Sequence, residues 1–314
     1  MKKSILTTLV AVMLVVAVIG LMGCKQKEGP DENSFQYGET KPTVAGKALT
    51  GSDTDMFLQA VENYYSAPYV GQVGDGGVNT VILGGISIYQ AVQCEKFRDG
   101  DNYFLLNKSF GAASLWEEVY INNGTMKTRT SKSAKKATDP DGNDTIQVRK
   151  WNDTKDYTGK YDDFVKDTNN DFKKIWSYKV NADTIKTITK TEDGDVYLFN
   201  VELNITDGIT DEAISEYYKV MEVQLSTNAG MKVEGLKFTK VNFEVKVWKE
   251  SGLIKQMKVT ESYDMKVAGI IDSNVTLNMI NKYSYDKNEA TTYIEPEDST
   301  KTHEYKMSDY LNLF

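Results

Sequence analysis

Two cysteines and one histidine set the chemical range of this 314-residue chain. A lone imidazole, His303, excludes a multi-histidine metal centre and leaves one candidate base for a nucleophilic triad. Flanked by Thr302, Glu304 and Lys306, it reads most simply as a surface residue. Ser133-Ala134-Lys135-Lys136 has the spacing of the penicillin-binding nucleophile, but it lies in a basic polar loop and the companion Ser-Asp-Asn and Lys-Thr-Gly motifs are absent. Asp139, Asp141, Asn143 and Asp144 suggest a calcium loop. The EF-hand register fails, because Asp144 stands where glycine is needed and Lys150 where the bidentate glutamate belongs, so a turn is the better reading. No Gly-x-Ser-x-Gly, phosphate-cradling loop or dinucleotide fingerprint occurs. Gly74-Asp75-Gly76-Gly77 and Gly84-Gly85 read as turn material. Cys94, after Ile88 and Val92 on one strand face, reads as a small buried hydrophobe. No catalytic constellation and no metal site emerges, and no cofactor is expected.

The other thiol, Cys24, has a distinctive setting. Lys2 and Lys3 precede an apolar run that starts near Ile5 and ends at Leu21-Met22-Gly23-Cys24. A basic start, an apolar run of about 14 residues and a small residue at the end make a secretory signal peptide over residues 1–23. The run is shorter than the roughly 20 apolar residues of a membrane-spanning helix. Leu-Met-Gly-Cys resembles the lipobox of bacterial lipoproteins. That resemblance implies a diacylglyceryl group on Cys24, which becomes the first mature residue, and a place on the extracytoplasmic face of the cell membrane. An ordinary signal peptide with an incidental cysteine is the alternative. With Cys24 lipidated, Cys94 has no disulfide partner.

Loss of Lys2 and Lys3 takes the formal charge from −8 to −10 and leaves 291 residues. An acidic domain is a poor partner for nucleic acid. Residues 24–52 are polar and read as the lipidated cysteine and a flexible tether, spanning on the order of 30 Å. Ser52-Asp53-Thr54-Asp55 predicts a helix start, with Phe57, Ala60, Val61 and Tyr64 on one face and Ala67-Pro68 at its end. Strands and tight turns follow, marked by Asp99-Gly100, Asn123-Gly124, Asp193-Gly194 and Ser251-Gly252. Helical spacing predicts one or two helices over 158–176 and another from Thr210. Strict alternation over 241–285 predicts long neighbouring strands with one covered face. The expected fold class is α+β: a strongly curved antiparallel sheet with helices packed on its concave face. That domain is expected over 53–296, with a C-terminal tail over 297–314.

The covered face is rich in methionine, with Met257, Met265 and Met279 and flanking Met221 and Met231. Methionine suits pockets that accept varied apolar shapes. Val245, Met257, Val259, Tyr263, Met265, Val275, Leu277 and Met279 are the ligand-facing candidates. A solid core is the competing reading of the same stripe.

The order of elements resembles the LolA/LppX-like lipoproteins. The likeness lies in Phe243-Glu244-Val245-Lys246-Val247-Trp248-Lys249-Glu250-Ser251-Gly252-Leu253-Ile254-Lys255-Gln256-Met257, in Val275–Tyr285 and in the closing Ile294-Glu295-Pro296. It spans about residues 50–296 and implies an unclosed barrel whose cavity binds a lipid or a lipidated partner without catalysis. The lipobox departs from the soluble carrier LolA and implies an anchored protein. The alternative is a structural or protein-interaction lipoprotein with a solid core and no ligand. Carbohydrate binding would require Trp116, Trp151 and Trp248 to share an exposed patch.

Overall fold

The computed structural model describes residues 37–82, 85–111, 115–131, 137–138, 144–145, 153–168, 171, 173–176, 179–204, 232–294 and 302–306. Helix α1 (Asp53–Ser66) begins where a capping hydroxyl is available. Ser52 Oγ accepts from the Asp55 amide at 3.2 Å, and the Asp55 carboxylate accepts from the Ser52 amide at 3.0 Å. This reciprocal box satisfies two donors that a helix start leaves open. Met56, Phe57, Ala60, Val61 and Tyr64 recur at helical spacing and are all buried. Each large apolar side chain among them contributes about 1.5–3 kcal/mol. Pro68 forces Ala67 into an extended conformation, at ψ 134°, and the helix stops.

Strands then dominate. β1 (Tyr69–Ile82), β2 (Ile86–Asp99), β3 (Asn102–Gly111), β4 (Leu115–Asn122) and β5 (Thr125–Ser131) form an antiparallel meander. β6 (Ala137–Thr138) and β7 (Asp144–Thr145) pair separately, and β8 (Asp153–Lys160) returns to β5 and leads into helix α2 (Tyr161–Thr168). A second meander contains β9 (Ile185–Asp193), β10 (Val196–Leu203), β11 (Val233–Trp248), β12 (Ile254–Val267) and β13 (Ile271–Ser284). The tight β4–β5 turn places Asn123 at φ 49° and Gly124 at φ 78°, the positive values that match a two-residue hairpin to strand twist. The meanders join where β1 pairs with β13. The result is one unclosed 11-stranded sheet in the order β8-β5-β4-β3-β2-β1-β13-β12-β11-β10-β9.

Alternation assigns each strand residue to a side. Phe199, Val201, Val241, Phe243, Val245, Val247, Met257, Val259, Val275 and Tyr283 form the main core with α1. Tyr103, Leu105, Val119, Ile121 and Met126 extend the same side beneath Tyr161 and Val165 of α2. The described helices thus share one side of the sheet. The opposite side carries a smaller aromatic cluster of Tyr69, Phe97, Phe104 and Tyr120, sealed by Tyr37.

Several expectations are corrected. Gly74-Asp75-Gly76-Gly77 is no turn: it lies inside β1, paired on both sides with β2 and β13. A Cβ on Gly76 would overlap the Asn278 carbonyl and stand 2.8 Å from Met279 Cα, so glycine is what lets β1 and β13 approach closely. The helix expected over 158–176 is confined to Tyr161–Thr168, and Asp153–Lys160 is strand. At Asp171 the side chain accepts from the Lys173 amide at 3.0 Å, a local bond that competes with helix continuation. Residues 37–52, expected as flexible tether, are laid against the fold. Glu39 bridges Lys255 (2.8 Å) and Lys282 (3.0 Å), and the Gly46 amide donates to the Ser251 carbonyl at 2.8 Å. Asn63 of α1 accepts from the Lys47 amide and donates to the Lys47 and Gly252 carbonyls, at 2.7, 2.8 and 3.0 Å. The expected tail contributes β15 (Thr302–Lys306), which pairs with β14 (Ala290–Ile294). The signal segment with Cys24, the Ser133 loop, Asp139, Asp141, Asn143, Trp151 and the 205–231 stretch with Met221 and Met231 lie outside the described residues.

Candidate functional site

Where neither helix covers the sheet, side chains of β1, β2, β3, β12 and β13 border an open cavity of about 270 Å³. That is just below the roughly 300–1,000 Å³ typical of small-molecule sites. Strand register places its walls in rows. Lys96 stands opposite Gln72; Cys94 opposite Gly74, which pairs on its other side with Asn281; Val92 opposite Gly76, which pairs with Met279. Met257 and Val259 follow on β12 opposite Asn281 and Met279. Gly74 supplies no side chain to its row, and the Met279 methyl and the Asn281 side-chain oxygen occupy the space where its Cβ would stand.

The remaining wall is the segment from Asp171 to Trp176. Trp176 stacks on Phe243 at 4.8 Å between centroids and 15° between planes, and lies 6.4 Å from Phe57. The Ile175 amide donates to the Tyr65 hydroxyl at 3.2 Å, and the Tyr161 hydroxyl donates to the Asp171 carboxylate at 2.8 Å. One end of the segment is therefore held by α1 and the other by the first residue of α2.

The apolar lining is Val92, Leu105, Met257, Val259, Leu277 and Met279, with Ile175 and Trp176 across from them. Of the ligand-facing candidates, Met257, Val259, Leu277 and Met279 meet here. Val245, Tyr263 and Val275 do not border it, although they share the main core with Met257 and Val259, and Met265 packs against that core. Tyr263 faces Phe238, with ring centroids 5.4 Å apart.

The lining also carries polar groups that stripe reading passed over: Gln72, Lys96, Asn107, Glu261 and Asn281. Their signal was present as interruptions. In β12 the apolar run Met257, Val259, Tyr263 skips Glu261; in β13 the run Val275, Leu277, Met279, Tyr283 skips Asn281. A polar residue in register with a buried stripe marks a wet or functional stretch of the face. Gln72 Nε2 donates to Asn281 Oδ1 at 2.7 Å, while Gln72 Oε1 is buried with no hydrogen-bond partner. Lys96 Nζ reaches the Lys174 carbonyl at 3.4 Å. Burial, with Arg98 adding to it, lowers the Lys96 ammonium pKa. Burial pushes the Cys94 thiol up to about 11, which keeps it protonated and unreactive at neutral pH.

Among the described residues no group of three His, Cys, Asp or Glu side chains is placed to hold a metal ion, and no helix is long and apolar enough to cross a membrane. Trp248 is 6% exposed, and Lys255 Nζ lies 4.6 Å from its ring centroid, so this ring is not part of an exposed patch.

No family model matches the chain, and no curated protein matches it. The crystal structure of a LolA superfamily protein, NE2245 from Nitrosomonas europaea, is similar over 74% of this chain and 92% of that one, with 8% sequence identity and a TM-score of 0.21.

Proposed function

We propose that this chain is a non-catalytic, membrane-anchored extracytoplasmic lipoprotein that holds a hydrophobic ligand, a lipid or acyl chain, in a LolA-like half-barrel with helices in its concave side. The observation that carries the reading is the cavity of about 270 Å³ bordered by Met257, Val259, Leu277 and Met279. Flexible, polarizable thioethers adapt to apolar chains of varied shape. The anchor rests on Leu21-Met22-Gly23-Cys24. Native mass spectrometry of the full chain, purified without detergent as Cys24→Ser, tests the cavity: co-purifying lipid or uptake of a fluorescent fatty acid supports it, and the absence of both overturns it. The anchor is tested separately, because Cys24→Ala should abolish lipid labelling and release protein from membranes. Labelling that persists refutes it.

A second reading, a structural or interaction lipoprotein without ligand, draws on the tight packing of the rest of the same face. Val245 and Val275 are 0% and 1% exposed there.

A further inference from the structure

We propose that the cavity takes a single-chain acidic amphiphile, with the carboxylate or phosphate at Lys96, a neighbouring hydroxyl on Gln72, and the chain along Met257, Val259, Leu277 and Met279. The proposal rests on the reading of this cavity as a ligand site and names the chemistry of what it holds.

Three observations carry it. First, Lys96 is 8% exposed, and among the described residues no carboxylate lies within ion-pair distance of it; its one hydrogen bond is the long one to a backbone carbonyl. A buried cation without a counter-charge is costly, and an anionic ligand supplies the missing partner. The lowered pKa of Lys96 is the same cost seen from the proton's side. Second, Gln72 is directly opposite Lys96 across β1 and β2, is 6% exposed, and has an unpartnered acceptor, Oε1. An orphaned buried acceptor beside a cation suits a head group that joins an acidic oxygen to a hydroxyl donor. Third, the charges of the strand walls are segregated. Glu261 pairs with Leu277, four residues along β13 from Asn281, which is about 13 Å of strand. An acid is attracted at the Lys96 end, and the apolar residues lie between it and Glu261. The other lining carboxylate, Asp171, accepts from Tyr161 and from the Lys173 amide.

Titration calorimetry on the full chain carrying Cys24→Ser, with 1-lauroyl lysophosphatidate, laurate and uncharged 1-lauroylglycerol as probes, tests this. At least one acidic probe should bind about tenfold or more tighter than lauroylglycerol. The tighter of the two distinguishes a phosphate from a carboxylate source. Lys96→Met should bring acidic and neutral probes to within about twofold, while Lys96→Arg keeps the preference. Equal binding of all three by the unsubstituted cavity, or a preference that survives Lys96→Met, overturns the proposal while leaving a ligand cavity standing. Binding of none of them overturns the cavity reading itself.

Discussion

Val275 and Leu277 lie two residues apart on one side of one strand, yet one is core and the other borders a void. Val275 is 1% exposed and stands between Thr80 of β1 and Tyr263 of β12. Val275→Phe must find room where the packing has none, and overpacking of this kind costs about 1–3 kcal/mol. For a domain of this size a loss of about 2 kcal/mol lowers the melting temperature by roughly 4–8 °C. Leu277 borders the cavity of about 270 Å³, so the larger ring of Leu277→Trp can enter open space. Its stability change should stay within about 1 kcal/mol, while affinity for a lauroyl probe falls at least tenfold. Urea denaturation followed by circular dichroism gives the first number and probe titration the second. If Leu277→Trp destabilises as much as Val275→Phe, the face is solid throughout and the argument from its lining fails. If the variant folds and binds probe undiminished, the ligand sits elsewhere.

Three further outcomes follow from the same geometry. Asn63→Ala removes three hydrogen bonds that tie Lys47 and Gly252 to α1. At about 1 kcal/mol each the loss is about 3 kcal/mol, with faster proteolysis within 37–52; an equilibrium loss below about 1 kcal/mol would refute the fastening role. Gly76→Ala drives a methyl into the β13 backbone at the only seam between the meanders among the described residues. It should cost about 3 kcal/mol, and an unchanged denaturation midpoint would contradict the close approach. Burial alone would raise the Glu39 carboxyl, but Lys255 and Lys282 outweigh it and hold the group below the usual carboxylate range. Because the folded value is the lower one, its stabilisation is present above about pH 4.3 and is lost as pH falls through the folded value. Glu39→Gln should therefore flatten the acid limb of the stability curve, and parallel curves for the two proteins would exclude the linkage.

Much of the fold was legible because its signals are local. The Ser52–Asp55 box marks a helix start whatever surrounds it, since the bonded atoms are three residues apart. Alternation over 241–285 identifies strands because the pleat sends successive side chains to opposite sides. Absence of a nucleophile motif or a multi-histidine cluster is likewise a property of residue types and spacing.

The site was only half legible. Val245, Met257, Val259, Tyr263, Met265, Val275, Leu277 and Met279 look alike in the stripe, because burial makes the same demand on a core wall and a cavity wall. What separates them is what they border: Val245, Tyr263 and Val275 meet only packed neighbours, whereas Met257, Val259, Leu277 and Met279 also border the open cavity beside Asp171, Ile175 and Trp176. Gly74 and Gly76 looked like a turn because glycine usually punctuates chains. Their reason lies in β13, some two hundred residues away, whose backbone and side chains fill the space a Cβ would need. By itself the sequence determined where many of the strands and the first helix run and which motifs it lacks. Only the tertiary structure decided where the covered face opens, because an opening is set by what fails to pack over it, and that depends on partners distant in the chain.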